Sequence, residues 1–313
     1  MAQDVWFGVH VPPEGRNFEE MKYICQKVEQ SGFDLLTVTD HLMNMRNPNG
    51  VGNHPLECWT TLAGLAAVTK TIRLGPLVSC YGYRRPTILA KMATTVDIIS
   101  KGRLVFGIGA GWHEAEFNGF MGRFPSVRER LQGLHETIKI CKQMFTTERS
   151  THHGSLYHVE NVLNSPQPTQ RPVPVMVGGG GERVTLKIAA QYADISHFFT
   201  GNLTALDHKL AVLKNHCKTV NRKYSEIRKA TSMGLILGET EIAAEQKLKQ
   251  RATASGMTLD ETRTRAGAGY GTPDMVTKNI QEYVNRGVGL ITFRFTGFDN
   301  LRLFAREVLP HFK

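Results

Sequence analysis

The stretch Ile72–Trp112 decides the fold and reads IRLGPLVSCYGYRRPTILAKMATTVDIISKGRLVFGIGAGW. Its apolar run Ile72–Ser79 predicts one strand, and the run Leu104–Ile108 predicts another. Between them the spacing predicts a helix that starts at Pro86, because proline is tolerated in a first turn, and that ends before a Lys-Gly pair. The stretch is therefore predicted to be a β-α-β unit in which both strands end in loops of unusual backbone freedom.

Apolar runs on either side continue the alternation of strands and helices. They predict six further strands, at Val5–Val11, Phe33–Thr39, Val173–Val177, Ala193–Phe199, Thr231–Leu237 and Leu290–Phe295. Eight strands alternating with helices, without a break in composition, predict a single domain over residues 1–313. Its expected fold class is α/β, a (β/α)8 TIM barrel with loop insertions at the C-terminal mouth. A doubly wound sheet divided between two domains is the alternative.

Three segments do not fit the alternation. His152–Glu160 predicts a small hairpin outside the main sheet, and the segment after Trp112 predicts a polar, glycine-containing connection to Pro125. The charged segment Glu261–Tyr270 is expected to be mobile. Together with the loop from Met43 to Asn53, it is expected to contribute to the substrate pocket.

Charge and composition indicate the class of partner. The 38 basic and 28 acidic residues give a net charge of +10, but the basic residues are scattered, so no nucleic-acid face is expected. A basic rim for phosphorylated or carboxylated small molecules is compatible with this balance. No apolar run approaches the roughly 18 residues of a membrane helix, so no membrane partner is expected. Five scattered cysteines without a C-x-x-C pair indicate reduced thiols and a cytoplasmic protein.

In a barrel, the carboxyl ends of the strands meet at one mouth, where active sites lie. The second strand ends in Asp40-His41. Histidine is the side chain best suited to proton transfer near neutral pH, and a neighbouring aspartate can orient it. A capping Asp40 beside a merely polar His41 explains the same pair equally well. His10 ends the first strand and is a candidate for the substrate pocket.

Two glycine-rich strand ends are candidates for binding a ligand. Gly178–Gly181 precedes a helix, where close backbone approach and free amides favour a phosphate, although phosphate-binding barrels more often use the loops after strands seven and eight. A flexible turn is the alternative. Gly107-x-Gly109-x-Gly111 is not a G-x-G-x-x-G fingerprint, since Trp112 stands where the last glycine belongs. It is better interpreted as backbone that passes close to a flat ligand.

No metal site is expected. His152-His153 and His113-Glu114 are histidine-containing pairs, but no H-E-x-x-H, C-x-x-C or carboxylate cluster accompanies them. A solvated loop explains both pairs.

Taken together, these strand ends resemble the luciferase-like family of flavin-dependent monooxygenases and deazaflavin (coenzyme F420) dependent oxidoreductases. The matching pieces span most of the chain in the expected order: SGFDLLTVTDHL, the stretch Ile72–Trp112, PVPVMVGGGGE and GTPDMVTKNIQEYVNRGV. The resemblance implies a (β/α)8 barrel, usually a homodimer, that holds a tricyclic ring at its C-terminal mouth.

The resemblance also implies roles for individual residues. His41 matches the histidine over the ring, accompanied by Asp40, and a non-proline cis peptide is expected near Leu77–Val78, where it supports the ring. The glycines divide between ring and phosphate: Gly109, Ala110 and Gly111 would line the ring, and Gly178, Gly179 and Gly180 would hold the cofactor phosphate. Trp112 stands where sugar-phosphate dehydrogenases of the family carry a glutamate. This departure argues against glucose 6-phosphate and predicts an apolar wall.

The implied function is hydride transfer between coenzyme F420 and a small organic substrate, with His41 as proton donor or acceptor. A two-component monooxygenase that uses reduced FMN and a separate reductase is one alternative. A flavin-binding barrel without catalysis is another. A barrel aldolase or isomerase remains as a non-redox alternative, although no buried lysine or carboxylate pair at the strand ends favours it.

Overall fold

The computed structural model describes residues 4–45, 47, 50–200 and 202–313. Positions 46, 48 and 49 of the loop expected to contribute to the pocket lie outside the described residues. The strands in the described chain are β1 (Trp6–His10), β2 (Leu35–Val38), β3 (Arg73–Pro76), β4 (Ser79–Cys80), β5 (Phe106–Gly109), β6 (Arg149–His153), β7 (His158–Leu163), β8 (Val175–Gly178), β9 (Ile195–His197), β10 (Arg228–Met233), β11 (Ile236–Leu237), β12 (Tyr270–Gly271) and β13 (Val288–Arg294).

The main sheet is parallel and has the order β3-β2-β1-β13-β10-β9-β8-β5-β4. Its two end strands, β3 and β4, are halves of one interrupted strand: the first half pairs with β2 and the second with β5. A parallel bridge between Leu74 and Leu104 joins the two ends of the sheet. The sheet is therefore an eightfold barrel, and the predicted (β/α)8 fold is confirmed.

Helices surround the barrel and connect its strands. They are α1 (Phe18–Gln30), α2 (Cys58–Val68), α3 (Pro86–Ile99), α4 (Glu114–Met121), α5 (Val127–Thr146), α6 (Thr185–Tyr192), α7 (Leu203–Thr219), α8 (Glu241–Ser255), α9 (Leu259–Ala266), α10 (Pro273–Asn285) and α11 (Phe298–Glu307). The proline expected to open the third helix does so at Pro86, and Pro273 opens α10 behind the capping side chain of Thr272. The hairpin expected outside the main sheet is β6–β7, a separate antiparallel pair.

Three predicted segments differ from the structure. The seventh barrel strand is Arg228–Met233, because Ile236–Leu237 leaves the barrel and pairs with β12 instead. The segment after Trp112 contains α4. The charged segment Glu261–Tyr270 includes most of α9, which a capping box between Thr258 and Glu261 begins; the mobility of the segment stays a prediction.

The interior is a continuous apolar core between barrel and helices. All five cysteines are buried and free. No helix within the described ranges is both long and apolar enough to span a membrane.

Candidate active site

A cavity of about 310 Å³ opens at the carboxyl ends of the barrel strands. Ten of the twelve residues predicted for the site line it: Asp40, His41, Leu77, Val78, Gly109, Ala110, Gly111, Trp112, Gly178 and Gly179. Gly180 lies just beyond its wall, and His10 lines a neighbouring cavity. The barrel therefore brings together segments that are far apart in sequence.

The floor of this first cavity is made by backbone. The peptide bond between Leu77 and Val78 is cis, at the expected position between β3 and β4. The Val78 side chain packs between two glycines of neighbouring strands. A Cβ atom at Gly109 would lie 2.7 Å from Val78 Cγ2, and one at Gly178 would lie 2.8 Å from Val78 Cγ1. Side chains at these positions would displace Val78, so the glycines keep the floor flat.

His41 lies at the edge of the floor, and its ring is held from two sides. Its Nδ1 atom is 2.9 Å from Oε2 of Glu116, in the first turn of α4. The ring of Trp112 meets the imidazole edge-to-face at 5.7 Å between centroids. An ionised carboxylate only accepts hydrogen bonds, so Nδ1 carries the proton and donates it. Nε2 is then the atom that can accept a proton from a ligand.

Glu116 is fully buried and was not found by the sequence analysis. Its carboxylate accepts hydrogen bonds from the backbone amides of Leu42 and Met43, at 2.6 and 3.0 Å, and from the hydroxyl of Tyr83. Burial would raise the pKa of Glu116, but the hydrogen bonds from His41 and Tyr83 outweigh it and lower the pKa to about 2. The group is therefore a fixed negative charge beneath His41 over the physiological range.

Asp40 lines the cavity, and its carboxylate is engaged by a cation. Its carboxylate receives two hydrogen bonds from Arg84, at 2.8 and 2.9 Å. It also accepts from the Ser79 hydroxyl at 2.7 Å and from the Cys80 amide at 3.1 Å. Glu57 contacts the same guanidinium. Asp40 thus fixes the segment that follows the cis peptide, and its acceptor sites are used for that purpose.

Two histidines at strand ends line the cavities: the buried His197 lines the first, and the half-buried His10 lines its neighbour. Burial lowers the pKa of His197 to about 4, and burial followed by the positive charge of Arg294 lowers that of His10 to about 3. His197 Nε2 lies 2.8 Å from the Ser232 hydroxyl, and His10 Nδ1 lies 3.0 Å from the Thr37 hydroxyl. Both side chains are therefore neutral at neutral pH and act as polar, uncharged lining.

The predicted phosphate segment follows β8. Gly179 has a φ of +128°, a conformation that side chains rarely adopt. The Lys209 ammonium donates to the Gly180 carbonyl at 2.8 Å and to Glu182 at 2.6 Å, which places a positive charge beside the glycines. Binding of a phosphate by Gly178–Gly180 stays a prediction.

A second cavity, of about 420 Å³, adjoins the first and shares Leu77 and Phe199 with it. Its other walls come from the ends of β1, β10 and β13 and from α8 and α9. The segment expected to be mobile thus contributes to a pocket, as α9. His10 was predicted here from the sequence, whereas Arg251 and Arg265 were not, because nothing local distinguishes a lining arginine from a solvated one.

One cluster outside the barrel has the chemistry of metal ligands. The exposed side chains of His153, His158 and Glu160 on the β6–β7 hairpin bring one ligand atom each within 4.8 Å of one another. The imidazole rings stack at 4.4 Å between centroids. The expectation that the protein has no metal site stays a prediction.

Known proteins resemble this chain in sequence and in fold. Pyrimidine monooxygenase RutA of Acinetobacter baylyi is 32% identical over 186 residues, which cover 58% of this chain and 49% of that protein. F420-dependent glucose-6-phosphate dehydrogenase of Gordonia bronchialis is 30% identical over 198 residues, which cover 62% of this chain and 55% of that protein. The chain thus spans about half the length of these curated relatives.

Among solved structures, the coenzyme F420 dependent tetrahydromethanopterin reductase of Methanopyrus kandleri superposes with a TM-score of 0.81. The superposition covers 99% of this chain and all of that one, at 20% identity, so it shows the fold. The sequence model of the luciferase-like monooxygenases matches residues 5–289. All residues that line the first cavity lie within this match. The chain belongs to the luciferase-like monooxygenase family.

Proposed function

We propose that the protein is an oxidoreductase that binds coenzyme F420 in the first cavity and acts on a small organic substrate. One observation carries the proposal: a flat floor of backbone and glycine lies beside an imidazole whose Nδ1 is held by a buried carboxylate. A planar ring fits such a floor, and the oriented imidazole supplies a proton-transfer group at its edge.

The residues of the first cavity fit a deazaflavin. Leu77, Val78 and the backbone from Gly109 to Gly111 would lie against the ring, because the glycines leave room for Val78 to stay within the floor: a Cβ at Gly109 or Gly178 would lie within 2.8 Å of its side chain. Gly178, Gly179 and Gly180 would face the cofactor phosphate, with Lys209 adding positive charge. Asp40 acts as a positioning residue, since its carboxylate is occupied by Arg84 and by the residues after the cis peptide.

Coenzyme F420, when bound, would supply hydride transfer to or from the substrate. His41 would accept on Nε2 the proton that a substrate releases on oxidation, and would donate it in the reverse direction. Glu116 stabilises the imidazolium that forms, because its carboxylate stays ionised beside Nδ1. Trp112 provides an aromatic wall next to His41, which favours substrates with an apolar portion. We further propose that the protein is a cytoplasmic homodimer.

A second candidate is a monooxygenase that uses reduced FMN from a separate reductase. The relatives named pyrimidine monooxygenase favour it, since one of them is 32% identical over 186 residues. The floor of the first cavity would accommodate the planar ring of FMN as well as that of coenzyme F420. A flavin-binding barrel without catalysis is a third candidate, which would bind the cofactor tightly without turnover and would not be changed by replacement of His41.

Titration of the purified protein with coenzyme F420 and with FMN, each oxidised and reduced, distinguishes these candidates by fluorescence. The proposal expects micromolar binding of coenzyme F420 and a weaker affinity for FMN. Micromolar binding of FMN alone would instead support the monooxygenase, and binding of neither would contradict both. His41→Ala is the second step: a variant that binds the cofactor normally and turns over unchanged would remove the proton role of His41.

A further inference from the structure

The second cavity differs from the first in its charge. Three arginines line it, Arg251 from α8, Arg265 from α9 and Arg294 from the end of β13. None of the described residues that line it is an aspartate or glutamate. His10, the remaining titratable group in its wall, is neutral near pH 7, since burial lowers its pKa to about 3. The wall therefore carries a net positive charge that the cavity itself does not neutralise.

No carboxylate of the described residues forms an ion pair with Arg251 or Arg265. By contrast, Arg263, two residues before Arg265 on α9, is paired with Glu245 at 2.9 Å. Glu261 feels the charge of Arg265, but its carboxylate closes the capping box of α9. The two guanidinium groups are therefore available to a ligand, and guanidinium groups bind carboxylates, sulfonates and phosphates in forked pairs.

The rest of the wall is apolar or carries hydroxyl groups. Leu77, Phe199, Met233, Ile236 and Met257 supply apolar surface. A further cavity of about 260 Å³ shares Arg251 and Arg294 with the second, and Glu14 is the single carboxylate among its described lining residues, which also include Arg16. The charged end of a ligand would thus lie between the arginines, while its apolar end would reach Leu77 and Phe199, which both cavities share.

We propose that the second cavity is the substrate site and that it selects an organic anion with an apolar body, bound through Arg251 and Arg265. This rests on the proposed function, because the apolar end of the ligand must meet the ring of a cofactor in the first cavity. An anion at this place has two possible sources: the substrate itself, or the anionic tail of the deazaflavin. The segment predicted to hold the cofactor phosphate follows β8, which β9 and β10 separate from β13 in the sheet, so we assign the arginines to the substrate.

Calorimetry with phenylacetate, on protein with and without bound coenzyme F420, tests the assignment. The expected results are saturable binding of phenylacetate and no binding of the uncharged phenylacetamide. In Arg251→Gln/Arg265→Gln the affinity for phenylacetate should fall by at least about tenfold, as expected for loss of charge-assisted hydrogen bonds. The matched control Lys249→Gln/Arg263→Gln removes two charges from the same helices away from the cavity, and it should change the affinity less than about twofold.

The other outcomes overturn the assignment in different ways. Equal binding of phenylacetate and phenylacetamide would show that charge does not select the ligand. A fall in coenzyme F420 affinity in Arg251→Gln/Arg265→Gln, but not in the control, would assign the arginines to the cofactor tail. Failure of phenylacetate to bind while coenzyme F420 binds would contradict the anion site alone, whereas failure of both would contradict the proposed function itself.

Discussion

Nδ1 of His41 lies 2.9 Å from Oε2 of Glu116, a buried carboxylate 75 residues further along the chain. The same carboxylate accepts hydrogen bonds from the backbone amides of Leu42 and Met43, the two residues that follow His41. It therefore fixes both the backbone after β2 and the tautomer of the imidazole. An imidazole free to rotate would present either nitrogen to a ligand, whereas this one presents Nε2.

Glu116→Gln should allow the His41 imidazole to adopt its other tautomer as well. The amide group of glutamine donates as well as accepts, so it stabilises the Nε2-protonated form that the carboxylate excludes. Long-range proton–nitrogen NMR spectra of protein labelled at the imidazole nitrogens measure the tautomer without any substrate. We expect the Nδ1-protonated form for His41 in the parent protein and a mixture in the variant. The control Glu114→Gln, an exposed change on the same turn of α4, should give the same spectrum as the parent protein. A mixture of tautomers in the parent protein itself would refute the assignment.

Arg84→Met should destabilise the protein and impair cofactor binding together. The change leaves the fully buried carboxylate of Asp40 without its cation, and removal of one partner of a buried pair costs about 3–5 kcal/mol. Chemical denaturation measures the loss in unfolding free energy, and cofactor titration measures the effect on the segment after the cis peptide. Arg85→Met, an exposed neighbour without an ion pair in the described structure, should cost less than about 0.5 kcal/mol. Equal stability of the two variants would contradict a structural role for the pair.

Gly178→Ala should weaken cofactor binding without unfolding the barrel. The added methyl group would lie 2.8 Å from Val78 Cγ1, so Val78 must move into the space above the floor. We expect an affinity for coenzyme F420 lower by about tenfold or more in the fluorescence titration. In the control Gly119→Ala, the nearest atom is Met43 Cε at 3.5 Å, an ordinary contact, and the affinity should not change. Unchanged affinity in Gly178→Ala would show that the ring lies elsewhere.

Acid should destabilise the protein in two separate pH windows. The unfolded chain protonates its histidines near pH 6.5, but folded His197 resists protonation down to about pH 4, so acid favours the unfolded state between these values. That slope is about 1.4 kcal/mol per pH unit for each such histidine. His197→Gln should flatten the unfolding free energy between pH 6.5 and pH 4, and His311→Gln, an exposed change, should not. A variant that keeps the full slope would contradict the neutral state of His197.

The second window belongs to the buried carboxylate. The pKa of Glu116 is lowered from 4.5 to about 2, so its contribution is present above pH 4.5 and is lost as the pH falls towards 2. The shift corresponds to a contribution on the order of 3 kcal/mol. Glu116→Gln should reduce the dependence in this window by the contribution of Glu116 and leave the histidine window intact. Chemical denaturation at a series of fixed pH values measures the unfolding free energy in both windows. An unfolding free energy that depends on pH below 4.5 as strongly in Glu116→Gln as in the parent protein would contradict the lowered pKa.

The sequence was sufficient for the barrel and for most of the first cavity, because both follow from local patterns. Apolar runs mark the strands, and the mouth residues come directly after them. Glu116 was missed because its role depends on a contact with His41 across 75 residues of chain. Its one local signal is a glutamate on the buried side of α4, next to Phe117.

Segments with little apolar surface were the other difficulty. α9 has no long apolar stripe, and its formation depends on the capping box between Thr258 and Glu261, a pattern that was present but not used. The end of the seventh strand was placed too late, because Ile236 and Leu237 are as apolar as barrel residues. Their pairing with β12 is decided by the long insertion between β10 and β13, which no local pattern reveals.

That insertion divides the chain by task. The first cavity is lined wholly by residues between 40 and 199, whereas most of the wall of the second lies between residues 232 and 296. In a protein with this layout, exchange of the segment between β10 and β13 would change the wall of the second cavity. The floor of the first cavity would stay the same. Transplanting residues 234–271 from one family member to another would then transfer the ligand preference of the donor. The recipient would keep its own preference for a redox cofactor.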